Sequence, residues 1–330
     1  MARRSSVLHE IAERRAADIA AELGGRTLRD VMPEAAGGPA RREVAGRFAR
    51  AGLHLIAEIK RSSPSAGSMV EGELDVAERA RAYQAGGASM ISVLVEPHWF
   101  GGSIDDLRTA RAATTVPVRA KEFVVDERQL PLLRAAGADA VLLLAALHPP
   151  KRLAKLVRTA LDAGLEPLVE AHTGRELLAA LGTDARLIGI NNRDLKTLEV
   201  DTRRCESLRS LVDDDRIVIA ESGVHDAATV RRWRALGFDG ALVGEDLMRS
   251  GSDPANVEAR VSTLVGAGAV PAPGDDPGLD GRVPFVKVCG ITEPAGLDAT
   301  IAAGADAVGF NFVPGTPRCL EEGEAAALIA

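Results

Sequence analysis

One phrase recurs along the chain and constrains its fold more than any other feature. AGGASMISVLVE (85–96), AAGADAVLLLAA (135–146), LGFDGALVGEDL (236–247) and AAGADAVGFNF (302–312) share one plan. A helical run ends at glycine, a short polar turn follows, and a nearly continuous apolar stretch comes next. Glycine supplies the left-handed stop of a helix, and an apolar run without alternation marks a strand covered on both faces. The phrase is therefore the junction from helix to strand in a parallel sheet clothed by helices.

Further apolar runs fill the intervals. Strands are expected near 54–60, 88–95, 117–124, 139–145, 167–171, 187–191, 216–221 and 240–244. Helical patterns such as ELDVAERARAYQA, DERQLPLLRAA and DAATVRRWRAL lie between them, with Asp126 and Asp226 as helix caps. Eight strands alternating with helices predict an α/β fold, a (β/α)8 TIM barrel. An open doubly wound sheet is the alternative, but it calls for a glycine-rich dinucleotide turn after an early strand, and this chain has none. Ahead of the first strand, the apolar residues Val7, Leu8, Ile11, Ala17 and Ile19 fit an amphipathic N-terminal helix.

The bulk properties set limits on function. A chain of 330 residues with net charge −7 is not marked as a nucleic-acid binder. No apolar run approaches the roughly 20 residues that span a bilayer, so no membrane partner is expected. Glu10, Glu13 and Asp18 near the N-terminus argue against a transit peptide. Cys205, Cys289 and Cys319 are odd in number and far apart, which fits a reducing cytoplasm and gives neither a disulfide framework nor a metal-ligand pairing.

In a barrel, chemistry gathers at the C-terminal ends of the strands. Six of the expected strands carry polar residues at that end: Glu58 and Lys60; Lys121 and Glu122; Glu170 and His172; Asn191, Asn192, Arg193 and Asp194; Glu221, Ser222 and Gly223; Gly244 and Glu245. Any one of these is ordinarily a solvated loop residue, and His172, Trp99 and Phe100 are read that way. Six together place two lysines, glutamates, an asparagine and an arginine around one space, an arrangement suited to proton transfer. ESGV (221–224) and VGEDL (243–247) put glycines at the ends of the last two strands, where barrels commonly hold a phosphate.

LIAEIKRSSPSAG, AKEFVVDERQ, GADAVLLLAA, PLVEAH, IGINNRDLKTLEVD, IAESGV and GALVGEDLMRS, in that order over about residues 5–265, resemble indole-3-glycerol phosphate synthase, a tryptophan-pathway enzyme. The resemblance implies a barrel with an N-terminal helical extension and a reaction without metal or cofactor. Its substrate would be the phosphorylated small molecule 1-(2-carboxyphenylamino)-1-deoxyribulose 5-phosphate, and its partners other enzymes of the tryptophan pathway. By the same resemblance Lys121 is the general acid and Glu170 the base. Lys60 holds the substrate carboxylate, and Glu58 and Asn191 orient these groups. Arg193 lies at an anionic end, Ser63, Ser222, Gly223 and Gly244 cradle phosphate with Glu245 beside them, and Phe100, Phe123 and Leu142 line the aryl pocket. Two positions depart from the family pattern. Ala66 stands where the family has lysine, and AKEF (120–123) stands for RKDF. These changes bear on the loop after the first strand and on the support of Lys121.

Beyond this region, GAGAVPAPGDDPGLDGR reads as a linker, placed at 269–283 after a barrel domain of 1–268. The final segment, 284–330, carries FVKVCGITEPAG from Phe285 and resembles the start of phosphoribosylanthranilate isomerase. Cys289 matches that family's catalytic cysteine and Arg318 its phosphate-side arginine, while the aspartate it also needs would fall beyond Ala330. No isomerase activity is expected of this chain, and the segment's strand edges are expected to expose apolar surface.

Two other functional classes fit the same residues. An aldolase-type barrel would use Lys121 to form an imine, which borohydride would trap. A phosphate-binding pseudoenzyme would fit the departures at Ala66 and Ala120.

Overall fold

The helix-to-strand phrase forms as its residues dictate. In the computed structural model, which describes residues 7–70, 72–194, 197–270, 287–303, 305 and 307–329, Gly87, Gly137 and Gly237 adopt φ of 95°, 106° and 79°. The next N–H in each case reaches back five residues, Ala88 to Tyr83, Ala138 to Leu133 and Phe238 to Trp233. These bonds satisfy carbonyls that the helix end would otherwise leave open. The acidic residue of the phrase ties strand starts together. Asp139 accepts the N–H of Val118 at 3.0 Å, and Asp239 that of Val218 at 2.7 Å.

Eight parallel strands follow: β1 (His54–Ile59), β2 (Met90–Leu94), β3 (Val118–Lys121), β4 (Ala140–Leu144), β5 (Glu166–Ala171), β6 (Leu187–Asn191), β7 (Ile217–Glu221) and β8 (Gly240–Val243). They close into a barrel in sequence order, with β8 pairing back onto β1. Each expected strand is present, with ends differing by at most three residues. Helices cover the outside, and their apolar faces pack on outward strand residues such as Ala57, Ala120 and Val141 in one large buried cluster. Inward residues form a second cluster, in which Ile56, Met90, Leu168, Leu187 and Ile219 fill the barrel. The pleat's period of two decides which side chain faces which layer. On β3 it sends Ala120 to the helices and both Arg119 and Lys121 inward.

Helix α1 (Val7–Leu23) precedes the barrel. Its Leu8 and Ile11 join the inner cluster. Arg15, also buried, grips Glu122 with two hydrogen bonds, Nε to Oε1 at 3.2 Å and Nη2 to Oε2 at 2.8 Å. The extension is thereby fixed to the residue after Lys121. Asp226 caps the helix Ala227–Ala235 as expected, accepting from the Thr229 N–H at 2.7 Å. Asp126 does not cap its helix, which begins at Gln129. Its carboxylate takes the Arg128 N–H at 2.9 Å, and Gln129 Oε1 takes the N–H groups of Val125 and Asp126.

Two compact units divide at Val270. The helix Pro254–Gly268 continues through the start of the glycine-rich run, and the Leu53 N–H donates to the Gly268 carbonyl at 2.8 Å. Most of the expected linker, 271–283, and Phe285 lie outside the described residues. In the second unit Lys287–Cys289 and Ala307–Gly309 pair in parallel. Phe312 and Val313 there are largely exposed.

Candidate active site

At the C-terminal mouth of the barrel lies a cavity of about 290 Å³. Every side chain that the sequence placed in the substrate site borders it, from Glu58 on β1 to Gly244 and Glu245 after β8. Cys289 and Arg318 belong to the other unit, where Arg318 packs on Gly290.

The floor is built around one carboxylate. Glu58 is 1% exposed, and its two oxygens meet Lys60 Nζ at 3.2 Å and Lys121 Nζ at 2.8 Å. Burial alone would raise its pKa, but Lys121, Lys60 and Arg119 outweigh burial and hold it at about 2. Lys121 shows the reciprocal effect. Burial favours the neutral amine, yet Glu58 and Glu221 raise its pKa above the ordinary lysine value, so it is a cation at neutral pH. Gly244 lets this group assemble, because a Cβ there would stand 2.8 Å from Glu58 Oε1 and 3.1 Å from Lys60 Nζ.

Across the mouth, Glu170 lies on β5, one residue before its end, and is 2% exposed. Asn191 Nδ2 donates to its Oε1 at 2.8 Å. His172 Nε2 lies 3.1 Å from the same oxygen, off the line that a hydrogen bond requires, so this contact joins charge to charge. On the ring's other side Nδ1 is 3.3 Å from Glu176. Burial would lower the imidazole's pKa, but the two glutamates raise it to about 9. Burial likewise pushes Glu170 up, and His172, Lys121 and Asn191 together hold it below the usual carboxylate range. His172, read from sequence as a loop residue, is thus a neighbour of the expected base.

A chain of hydrogen bonds carries this side of the site into the glycine turn. Asn191 Oδ1 accepts from the Arg193 N–H and from Ser222 Oγ, both at 2.9 Å, and Asn192 Nδ2 donates to the Ser222 carbonyl at 2.9 Å. Ser222 and Gly223 have φ of 65° and 98°. A serine in this left-handed region costs about 1–3 kcal/mol and persists where its surroundings impose it. The Arg193 guanidinium donates to the Leu198 carbonyl at 2.9 Å and lies 3.6 Å from Glu245, which also pairs with Arg249 at 3.1 Å. Ser63 lies in a hairpin after β1, where its Oγ accepts the Ala66 N–H at 3.1 Å.

The remaining wall is apolar. Phe100 and Phe123 stack with centroids 5.9 Å apart, near Leu142. Val7, Leu8 and Ile11 of α1 close the same side. Glu96 shapes the loop that presents Phe100, accepting the N–H groups of His98, Trp99 and Phe100 at 2.9, 2.7 and 3.1 Å. Neither α1 nor Glu96 was a site residue in the sequence reading. The helix was visible as an amphipathic segment, but nothing in its period says which surface it covers.

Of the two departures from the family pattern, Ala120 is fully buried against the helix layer, away from the cavity. Ala66 lies in the hairpin after β1. Among the described residues no group of three or more His, Cys, Asp or Glu is placed to hold a metal, and no helix is long and apolar enough to cross a membrane.

Comparison with known proteins agrees with this geometry. The family model described as indole-3-glycerol phosphate synthase matches residues 8–260. Indole-3-glycerol phosphate synthase of Kineococcus radiotolerans is 43% identical over 268 residues, covering 81% of this chain and 95% of the relative. Indole-3-glycerol phosphate synthase 2 of Streptomyces coelicolor is 44% identical over 236 residues, covering 72% and 91%. Among solved structures, one described as "Native KDPGal structure" superposes with a TM-score of 0.50 at 19% identity, covering 69% of this chain and 97% of its own, and shares the fold alone. By its matched domain and its relatives, the chain belongs to the indole-3-glycerol phosphate synthase family.

Proposed function

We propose that the cavity at the barrel mouth closes the pyrrole ring of 1-(2-carboxyphenylamino)-1-deoxyribulose 5-phosphate and releases carbon dioxide and water to give indole-3-glycerol phosphate. The observation that carries this reading is the pair of lysines on Glu58 facing Glu170 across a cavity with one aromatic wall and one glycine-turn wall. Ring closure joins the carboxylate-bearing aryl carbon to the ketose carbonyl carbon. The carbonyl oxygen gains a proton, supplied by Lys121. Loss of carbon dioxide returns the bonding pair to the ring and restores aromaticity. The new hydroxyl then leaves as water, taking a proton from an acid, while Glu170 accepts the proton that the five-membered ring gives up.

The other residues bind and orient. Lys60 holds the substrate carboxylate, and its position on Glu58 lets it share in proton supply. Phe100, Phe123 and Leu142 take the aryl ring. The backbone N–H groups at Ser222, Gly223 and Gly244 receive the phosphate with Ser63, and those of the first turn after β8 contribute through Glu245, whose own carboxylate is occupied by arginines. Arg193 adds positive charge at this end. The imine alternative is disfavoured by the 2.8 Å contact with Glu58, which keeps Lys121 protonated and a poor nucleophile.

The barrel is also proposed to act alone. All eight barrel strands and the cavity residues precede Val270. A chain ending at Val270 is expected to keep synthase kcat within about twofold of the full chain, as an independent domain should. The cut follows Ala269 because Arg234 Nη1 donates to that residue's carbonyl. The 330-residue chain is proposed to show no phosphoribosylanthranilate isomerase turnover, since Cys289 alone cannot serve as both acid and base. Synthase kinetics and thermal melting of the shortened protein, with an isomerase assay of the full one, check both statements. Loss of synthase activity on shortening, or isomerase turnover by the full chain, contradicts them.

A further inference from the structure

Beneath the catalytic floor lies a charge that the reaction as described does not use. Arg119 is fully buried inside the barrel, two residues before Lys121 on β3 and on the same side of the strand. Its Nε and Nη2 donate to Ser92 Oγ on β2 at 3.3 and 3.1 Å. Nη2 is 3.9 Å from Glu58 on β1, and Nη1 is 3.8 Å from Glu221 Oε1 on β7. Among the described residues Nη1 has no hydrogen-bond partner, and neither has either oxygen of Glu221. Gly189 on β6 makes the room, since any side chain there would collide with Glu221 Oε1. A buried guanidinium keeps its proton, and a buried carboxylate without hydrogen bonds stays charged only through nearby cations.

We propose that Arg119 is a positioning residue that acts through Glu221, favouring the ionised form of a third carboxylate below Lys121 against the burial that opposes it. This rests on the proposed role of Lys121. The groups around Glu221 show why the arginine is needed. Burial and the negative charge of Glu170 on β5 both drive Glu221 toward its neutral form, raising its pKa to about 8, and Arg119 and Lys121 oppose them. Glu58 and Lys60 complete the set of charges on this floor. With Arg119 gone, only Lys121 would oppose protonation directly, and Glu221 would keep its proton to higher pH. The fraction of Glu221 that carries negative charge under the ammonium would then be about tenfold smaller near neutral pH.

The test is the pH dependence of single-turnover rates for Arg119→Met. Removing a neighbouring unit charge from a buried site is expected to displace the rising limb upward by about one pH unit, so that the variant is about tenfold slow near pH 7 and recovers toward the parent rate as pH rises. Arg119→Lys, which retains the charge, should restore most of the neutral-pH rate. It also serves as the measurable variant if Arg119→Met does not fold, its limb then lying within about half a unit of the parent's. In a Glu221→Gln background Arg119→Met should cost less than about twofold, because the group it acts through is gone. A deficit equal at every pH, a charge-retaining variant with its limb displaced by a full unit, or costs that multiply in the double variant would each overturn the proposal. If Lys121→Ala retains turnover, the catalytic reading itself fails. If Lys121→Ala is inactive and the Arg119 deficit ignores pH, only the present inference falls.

Discussion

Lys121→Ala is expected to remove turnover while leaving the barrel folded. The ammonium lies 2.8 Å from Glu58 and opens onto the cavity with only 19% of its side chain exposed. Ring closure needs a proton at the carbonyl oxygen, and loss of a positioned acid typically costs about 10²–10⁴-fold in rate. Lys60 shares the same carboxylate but follows β1, with β2 lying between that strand and β3. Its proposed part is to hold the substrate carboxylate and share in proton supply, not to replace the ammonium at the end of β3. Folding should survive, since Glu58 keeps Lys60 and Arg119 as counter-charges. Steady-state kinetics with a circular-dichroism melt checks this prediction. Near-normal kcat in a folded variant would remove Lys121 from the chemistry.

Glu170→Gln is expected to lower kcat by about 10²–10⁴-fold while substrate affinity changes far less, because the amide keeps the shape and loses the proton acceptor. Its surroundings support a base rather than a binding group. Asn191 fixes one oxygen at 2.8 Å and leaves the other without a partner among the described residues. His172, charged up to about pH 9, keeps the carboxylate ionised. If KM rises and kcat does not fall, Glu170 binds substrate and the assignment of the base is wrong.

How much of this was legible in the chain depended on whether a residue broke its local pattern. Glu58, Lys60 and Lys121 interrupt apolar strands at the end where a barrel opens, and their period of two shows that they face inward. Glycines in the repeated phrase mark helix stops wherever the next N–H has a carbonyl five residues back. Arg119 shares the period of Lys121 but was not singled out in the sequence, and its partner Ser92 comes from a neighbouring strand through the register of Ser92 with Arg119, which no local pattern supplies. Glu221 was seen at a strand end but not placed in the site, since its importance comes from Arg119, Glu170 and the space over Gly189. His172 looks like a loop residue because one charge beside a strand usually is. Only the approach of Glu170 on one side and Glu176 on the other gives it a different place. The helix α1 was legible as a helix. Its docking on the aromatic wall depends on the Arg15 to Glu122 contact, which joins residues far apart in the chain.

The most direct test of the central claim is to add 1-(2-carboxyphenylamino)-1-deoxyribulose 5-phosphate to the purified 330-residue protein and follow indole fluorescence together with released carbon dioxide, with no metal or cofactor supplied. Fluorescence should rise catalytically, one carbon dioxide should appear for each indole-3-glycerol phosphate, and chelator should leave the rate unchanged. A folded protein that binds the substrate and yields no indole product would contradict the account and leave the cavity as a phosphate-binding site alone.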